Sequence, residues 1–147
     1  PPPPLAVRAL PRPSPPPHAL ALALCLVTLY HLRPPAPALL RLAQRSRRAL
    51  LSTRVMSRLP DGRNVESMPI AYLLYTREAN NDPTNYWILS PVGLERLLKR
   101  CGWQVRHAHR VGKVGRSNPV DNAADERMFV FCERVEHHAE LDKHHAF

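Results

Sequence analysis

Thirteen of the chain's 17 prolines precede Asp61. Proline locks φ and has no N–H to donate, so regular structure there is confined to the stretches between proline clusters. Pro1 to Pro17 holds nine prolines and favours polyproline II over helix or sheet. It reads as a disordered arm, with a PxxP ligand for an SH3-like groove as the alternative. Between Pro17 and Pro34 the residues from Ala19 to Leu32 are almost continuously apolar. Cys25 to Tyr30 suits a strand buried on both faces, while the Ala-Leu alternation before it is open between strand and helix. Beyond Pro34, Pro35 and Pro37, residues 38–45 read as a helix with Pro37 near its first turn, and Leu39, Leu42 and Ala43 share one face. Arg48 to Val55 reads as a second strand. Strand, helix and strand in close succession predict a parallel crossover unit.

The remainder continues the pattern with a change at the end. Residues 56–89 form a long connection with turn signals at Pro60-Asp61-Gly62 and Asn80-Asn81-Asp82-Pro83. Ile70 to Tyr75 inside it suits a short helix or strand, and a connection of this length is often a functional insertion. Ser90 is placed to cap the next helix and Pro91 to occupy its first turn. Leu94, Leu97, Leu98 and Cys101 then recur at helical spacing, Glu95 and Lys99 pair on the opposite face, and Gly102 ends the helix. Trp103 to Val111 alternates as a strand, with Trp103, Val105 and Val111 expected on one side. Residues 112–125 read as a loop, and Met128 to Cys132 as a last buried strand. A loop in place of a helix between the final two strands predicts an antiparallel pair at the edge of a parallel sheet.

Composition narrows the function. At 147 residues the chain has length for one domain, and 44% apolar content permits a core. The formal charge of +9 belongs to one segment: residues 1–60 hold nine arginines and no lysine or acid, whereas residues 61–147 hold twelve bases and twelve acids. The densest basic run is Arg41, Arg45, Arg47, Arg48, Arg54 and Arg58. It has no interleaved aromatics, so a solvated face is expected before a nucleic-acid stacking platform. Cys25, Cys101 and Cys132 form no CxxC pattern, which argues against a zinc ribbon or a disulfide framework and for buried reduced thiols. No apolar run reaches the ~18 residues of a membrane span. Arg8 and Arg12 before an apolar stretch, with Ala36-Pro37-Ala38 beyond it, sketch a signal peptide, but the prolines speak against export. The tail from His137 carries four histidines and reads as a solvated end. The chain starts with proline and has its first methionine at Met56, so a fragment or processed product is expected.

Several motifs, in order, resemble one family. Cys25-Leu26-Val27-Thr28-Leu29-Tyr30-His31-Leu32, the "AL..L" and "R.LLLST" pattern between Pro37 and Thr53, Asp82-Pro83-Thr84-Asn85-Tyr86-Trp87, Leu94 to Trp103, and Arg127 to Cys132 are similar to stretches of class I S-adenosylmethionine-dependent methyltransferases, in particular the tRNA wobble-uridine group. The resemblance covers residues 19–135. It implies an α/β fold, the C-terminal half of a Rossmann-like methyltransferase sheet: fourth strand, helix, fifth strand, helix, then the sixth and seventh strands as an antiparallel pair. The corresponding organisation is a Pro-rich disordered segment at 1–17, a partial methyltransferase domain at 18–136 and a disordered tail at 137–147. The family's glycine-rich cofactor turn and ribose-binding acid have no counterpart, because the chain contains neither glycine nor acid ahead of Asp61.

What the resemblance implies for function follows residue by residue. S-adenosylmethionine is the expected cofactor, with Leu26, Tyr30 and Arg127 near it. Asn85, Tyr86 and Trp87 are expected at the methyl acceptor, a small molecule or a tRNA base, where an amide hydrogen-bonds and an indole stacks. His31 is the candidate general base. Each has a structural alternative: Leu26 in the core, Tyr30 half-buried, His31 a donor at a strand end, Trp87 a loop anchor, Arg127 an edge charge. The expected setting is cytoplasmic, without a membrane or metal. Two other readings stand beside the transferase: an inactive methyltransferase remnant, and a secreted or interaction protein led by its proline-rich arm.

Overall fold

The computed structural model describes residues 20–135; the proline-rich arm at 1–17 and the histidine tail lie outside them. Strand β1, Ala23–Leu26, pairs in parallel with β2, Arg48–Arg54. Parallel neighbours need a crossover, and helix α1, Pro35–Arg45, supplies it. Pro35 occupies its first turn, where no N–H is needed, and Leu39 and Ala43, one turn apart, are its buried residues.

Helix α2, Pro91–Arg100, begins where the capping pattern predicts. The Ser90 hydroxyl accepts the Gly93 N–H at 3.0 Å, and Lys99 and Arg100 sit in the last turn, where cations suit the helix dipole. Gly102 follows at φ 85°, a left-handed conformation that glycine adopts freely. The last two long strands, Trp103–Gly112 and Glu126–Arg134, are antiparallel to each other. We label them β5 and β6, since two short strands in the insertion precede them: β3, Ala71–Leu73, and β4, Trp87–Leu89. The main sheet has the order β1-β2-β6-β5, so β6 inserts between β2 and β5 and runs antiparallel to both. The protein is thus a mixed α/β structure with a mixed sheet, and β3 and β4 make a separate antiparallel pair.

The main core lies on one face of the sheet. Ala23, Ala49, Leu51, Val130 and Cys132 meet Leu39 and Ala43 of α1 and Leu94, Leu98 and Cys101 of α2. Trp103 is fully buried there and donates its indole N–H to the Leu39 carbonyl at 3.1 Å. A second cluster of Met56, Val65, Leu74, Ala79 and Ile88 holds the insertion together.

Three expectations change. β1 is not buried on both faces: Leu24 is 64% exposed and Leu26 44%, because both helices pack on the opposite face. Regular strand ends at Leu26, and Leu29–His31 is a 3-10 turn. Val111 does not share a side with Trp103 and Val105. A bulge between Val105 and His107 shifts the register by one residue and turns Val111 to the other face. The cysteines are free, as expected: Cys101 and Cys132 are buried, and burial pushes their thiols up to about 11 and about 12.

Candidate functional site

β1 and β2 run in the same direction, so both end at one rim of the sheet, the usual place for ligands in open α/β sheets. At the end of β1 the chain turns abruptly. Val27 has φ 60°, an uncommon conformation for a β-branched residue, and its N–H is held by the carbonyl and hydroxyl oxygens of Ser52, each at 3.0 Å. The turn Leu29–His31 follows and buries Leu29 and Tyr30.

The insertion folds back onto this turn. The Tyr86 N–H donates to the Tyr30 carbonyl at 2.8 Å, and the Trp87 indole N–H donates to the Arg33 carbonyl at 2.7 Å. Arg33 donates from Nε to the Tyr86 hydroxyl at 2.5 Å and lies 5.1 Å from that ring's centre, within cation–π range. His31 Nδ1 is 2.9 Å from Thr84 Oγ1 and 3.3 Å from the Thr84 carbonyl oxygen. Thr84 in turn donates its hydroxyl to Asp82 Oδ1 at 2.7 Å, and its backbone N–H to the same oxygen at 2.8 Å. These two bonds hold the Asp82 carboxyl below its ordinary range. The rings of Tyr30 and His31 are 4.2 Å apart, tilted by 40°.

Arg54 closes the end of β2. Its side chain is 2% exposed and donates to the carbonyls of Asn118 and Asp121 at 3.2 and 2.9 Å. Its Nε lies 3.0 Å from Asp125 Oδ1 as an ion pair that lacks hydrogen-bond alignment, and Nη1 has no partner among the described residues. Burial lowers the guanidinium's pKa, the Asp125 charge raises it in part, and Tyr30 and Arg127 lie within electrostatic range. Arg127, opposite Arg54 in the β2–β6 register, reaches the other Asp125 oxygen at 3.3 Å. A buried arginine overturns the expectation that the whole basic run is a solvated face.

The site residues named from the sequence therefore fall into two groups. Tyr30, His31, Tyr86 and Trp87 are brought together, with Thr84 between. Asn85 is beside them but buried: its amide donates to the Ala79 carbonyl at 2.9 Å, and its Oδ1 has no partner among the described residues. Leu26 sits at the β1 terminus on the open sheet face, and Arg127 lies on β6 beside Arg54. Sequence reasoning missed Arg33, Arg54, Asp82, Thr84 and Asp125 as members. Asp82-Pro83-Thr84 was legible as a turn, but its contact with a histidine 53 residues away was not. Among the described residues no three His, Cys, Asp or Glu side chains gather as a metal-binding group, and no helix is long and apolar enough to cross a membrane.

No protein-family model and no curated protein matches this sequence. Among solved structures the chain is similar to the N-terminal domain of EvdMO1 with SAH bound, at 20% identity and a TM-score of 0.46, over 80% of this chain and 47% of that one. It is also similar to the same domain in the presence of SAH and D-fucose, at 18% identity and a TM-score of 0.45, over 78% and 47%. The chain thus spans about half the length of these structures.

Proposed function

We propose that this chain is part of an S-adenosylmethionine-dependent methyltransferase acting on a small molecule or a tRNA base in the cytoplasm. The observation that carries the reading is the junction at the carboxyl ends of β1 and β2, where the Tyr30–His31 turn is bonded to the Thr84–Trp87 segment. Two of the motifs that resemble the family, Cys25 to Leu32 and Asp82 to Trp87, meet there. On one side the residues present suit a cofactor: Leu26 offers an exposed apolar surface at this rim.

S-adenosylmethionine, when bound, supplies an electrophilic methyl group. The protein's own part is to position and desolvate. Leu26, Tyr30 and Arg127 line the cofactor side. Tyr86 and Trp87 form the acceptor wall, stiffened by Arg33, and Asn85 supports that wall from beneath. His31 accepts a proton from the acceptor at Nε2, since Nδ1 already faces Thr84.

Calorimetric titration of the 147-residue chain with S-adenosylmethionine and S-adenosylhomocysteine tests the proposal. Micromolar binding that Leu26→Asp weakens is the expected result. A folded sample that binds neither rejects the reading for this chain and favours the inactive remnant, which the lack of any glycine or acid ahead of Asp61 supports.

A further inference from the structure

The ring of His31 has two nitrogens, and its surroundings treat them differently. Nδ1 faces two oxygens of one residue, Thr84 Oγ1 at 2.9 Å and the Thr84 carbonyl at 3.3 Å. A carbonyl oxygen has no hydrogen to give. The Thr84 hydroxyl has one, and the charged Asp82 Oδ1 at 2.7 Å is a stronger acceptor for it than a neutral imidazole nitrogen. Asp82 is ionised at neutral pH, since Thr84 holds its carboxyl below the usual range, so it takes that hydrogen and offers none. Both oxygens facing Nδ1 are therefore acceptors, and the proton of a neutral ring must sit on Nδ1. Nε2 has no hydrogen-bond partner among the described residues, and its lone pair is free.

We infer that Asp82 and Thr84 are positioning residues that fix neutral His31 as the Nδ1–H tautomer, with Nε2 as its basic nitrogen. The supporting turn is rigid. Asp82 caps the Thr84 N–H at 2.8 Å, Pro83 between them has a fixed φ, and the Asp82 N–H donates to the Ala79 carbonyl at 3.1 Å. On the other side the His31 N–H donates to the Thr28 carbonyl at 3.1 Å, and the Tyr30 ring packs beside the imidazole. The arrangement resembles the way a carboxylate orients a catalytic imidazole, here with a hydroxyl interposed. The tautomer is a property of the chain itself; its use toward a methyl acceptor rests on the function proposed above.

Long-range proton–nitrogen NMR correlation on the ¹⁵N-labelled full chain reads the tautomer directly. The chain has eight histidines, so a His31→Gln variant assigns the signals. With the ring neutral, the wild type is expected to show a protonated Nδ1 and an unprotonated Nε2. Thr84→Val and Asp82→Ala are each expected to move the tautomer ratio toward Nε2–H by roughly five- to tenfold, the worth of about one hydrogen bond. Thr84→Ser, which keeps the hydroxyl, is expected to retain the wild-type pattern. A wild-type ring protonated on Nε2 overturns the inference, as does an unchanged ratio in both disrupting variants. If Thr84→Val fails to fold, Asp82→Ala carries the test, since it leaves the threonine in place. In a methyl-transfer assay, Thr84→Val should lower kcat with KM little changed, and Thr84→Ser should restore it. A chain that transfers no methyl group defeats the proposed function but leaves the spectroscopic result standing; a shifted tautomer with unaltered kcat removes Nε2 from the reaction.

Discussion

Glu126→Gln is a substitution of one atom at a fully buried carboxylate. Oε2 accepts from the Ser57 hydroxyl at 2.6 Å, the Ser117 hydroxyl at 2.8 Å and the Gly115 N–H at 3.3 Å. Oε1 accepts from Arg110 at 3.0 Å, and Arg110 also reaches Glu66 at 2.5 Å. A glutamine must aim its NH₂ one way or the other. Toward the serines it meets three donors: the Ser117 hydroxyl has the Val55 carbonyl at 3.2 Å as a second acceptor, but the Gly115 N–H has no such alternative. Toward Arg110 it sets an amide against a guanidinium. A hydrogen bond to a charged group is worth about 1.5–3 kcal/mol, and removing one member of a buried pair costs about 3–5 kcal/mol. Because Glu66 still neutralises Arg110, we expect the low end, about 3 kcal/mol. That is a large part of the ~5–15 kcal/mol by which domains are stable. Urea unfolding, followed by circular dichroism and tryptophan fluorescence, should show a lower midpoint at unchanged slope. Glu66→Gln, at a carboxylate 30% exposed, is the control and should cost under about 1 kcal/mol. A Glu126→Gln stability within about 1 kcal/mol of wild type, or equal effects at both sites, refutes the reasoning.

Gly93→Ala in α2 should destabilise the protein even though alanine is favoured in a helix by about 1 kcal/mol. An added Cβ would stand 2.6 Å from the backbone oxygen of Ile70, and a raised Tm would contradict this packing. Lowering the pH should erode stability through carboxylates held down by partners: Glu66 by Arg110, and Asp82 by Thr84. Their folded pKa values lie below the unfolded ones, so the contribution is complete above the ordinary carboxylate range near ~4. It fades as pH falls through the lower folded values, and a midpoint indifferent to pH between about 5 and 2 would exclude it. The outer edge of β1 pairs with no strand among the described residues, and Leu24 and Leu26 are exposed on the open face beside it. Concentration-dependent association is expected in sedimentation, and Leu24→Lys should reduce it; a wild type that stays monomeric at high concentration would count against an adhesive edge.

The local elements were legible because their signals are short-range. Proline clusters confined the strands ahead of Asp61 to two windows, where β1 and β2 form, while α1 starts at Pro35, ahead of the expected 38–45 span, because a helix's first turn accepts proline. Ser90, Pro91 and the leucine spacing set α2 within a residue, since capping and helical periodicity act over one or two turns. A loop in place of a helix between the last long strands predicted an antiparallel pair, as β5 and β6 are. Register and covering, by contrast, depend on what packs across the sheet. The bulge after Val105 turned Val111 away from Trp103, and the shared packing of both helices on one face left Leu24 and Leu26 exposed. The loop carrying Asn118, Asp121 and Asp125 buried Arg54, which read as one charge in a solvated run. Proline placement, capping and apolar spacing determined the order of the long elements, and the resemblance to methyltransferases marked His31 and the Asp82-to-Trp87 segment as worth attention. Only the tertiary structure set Thr84 and Asp82 behind His31, because no periodicity along a chain specifies a hydrogen bond between residues 53 positions apart.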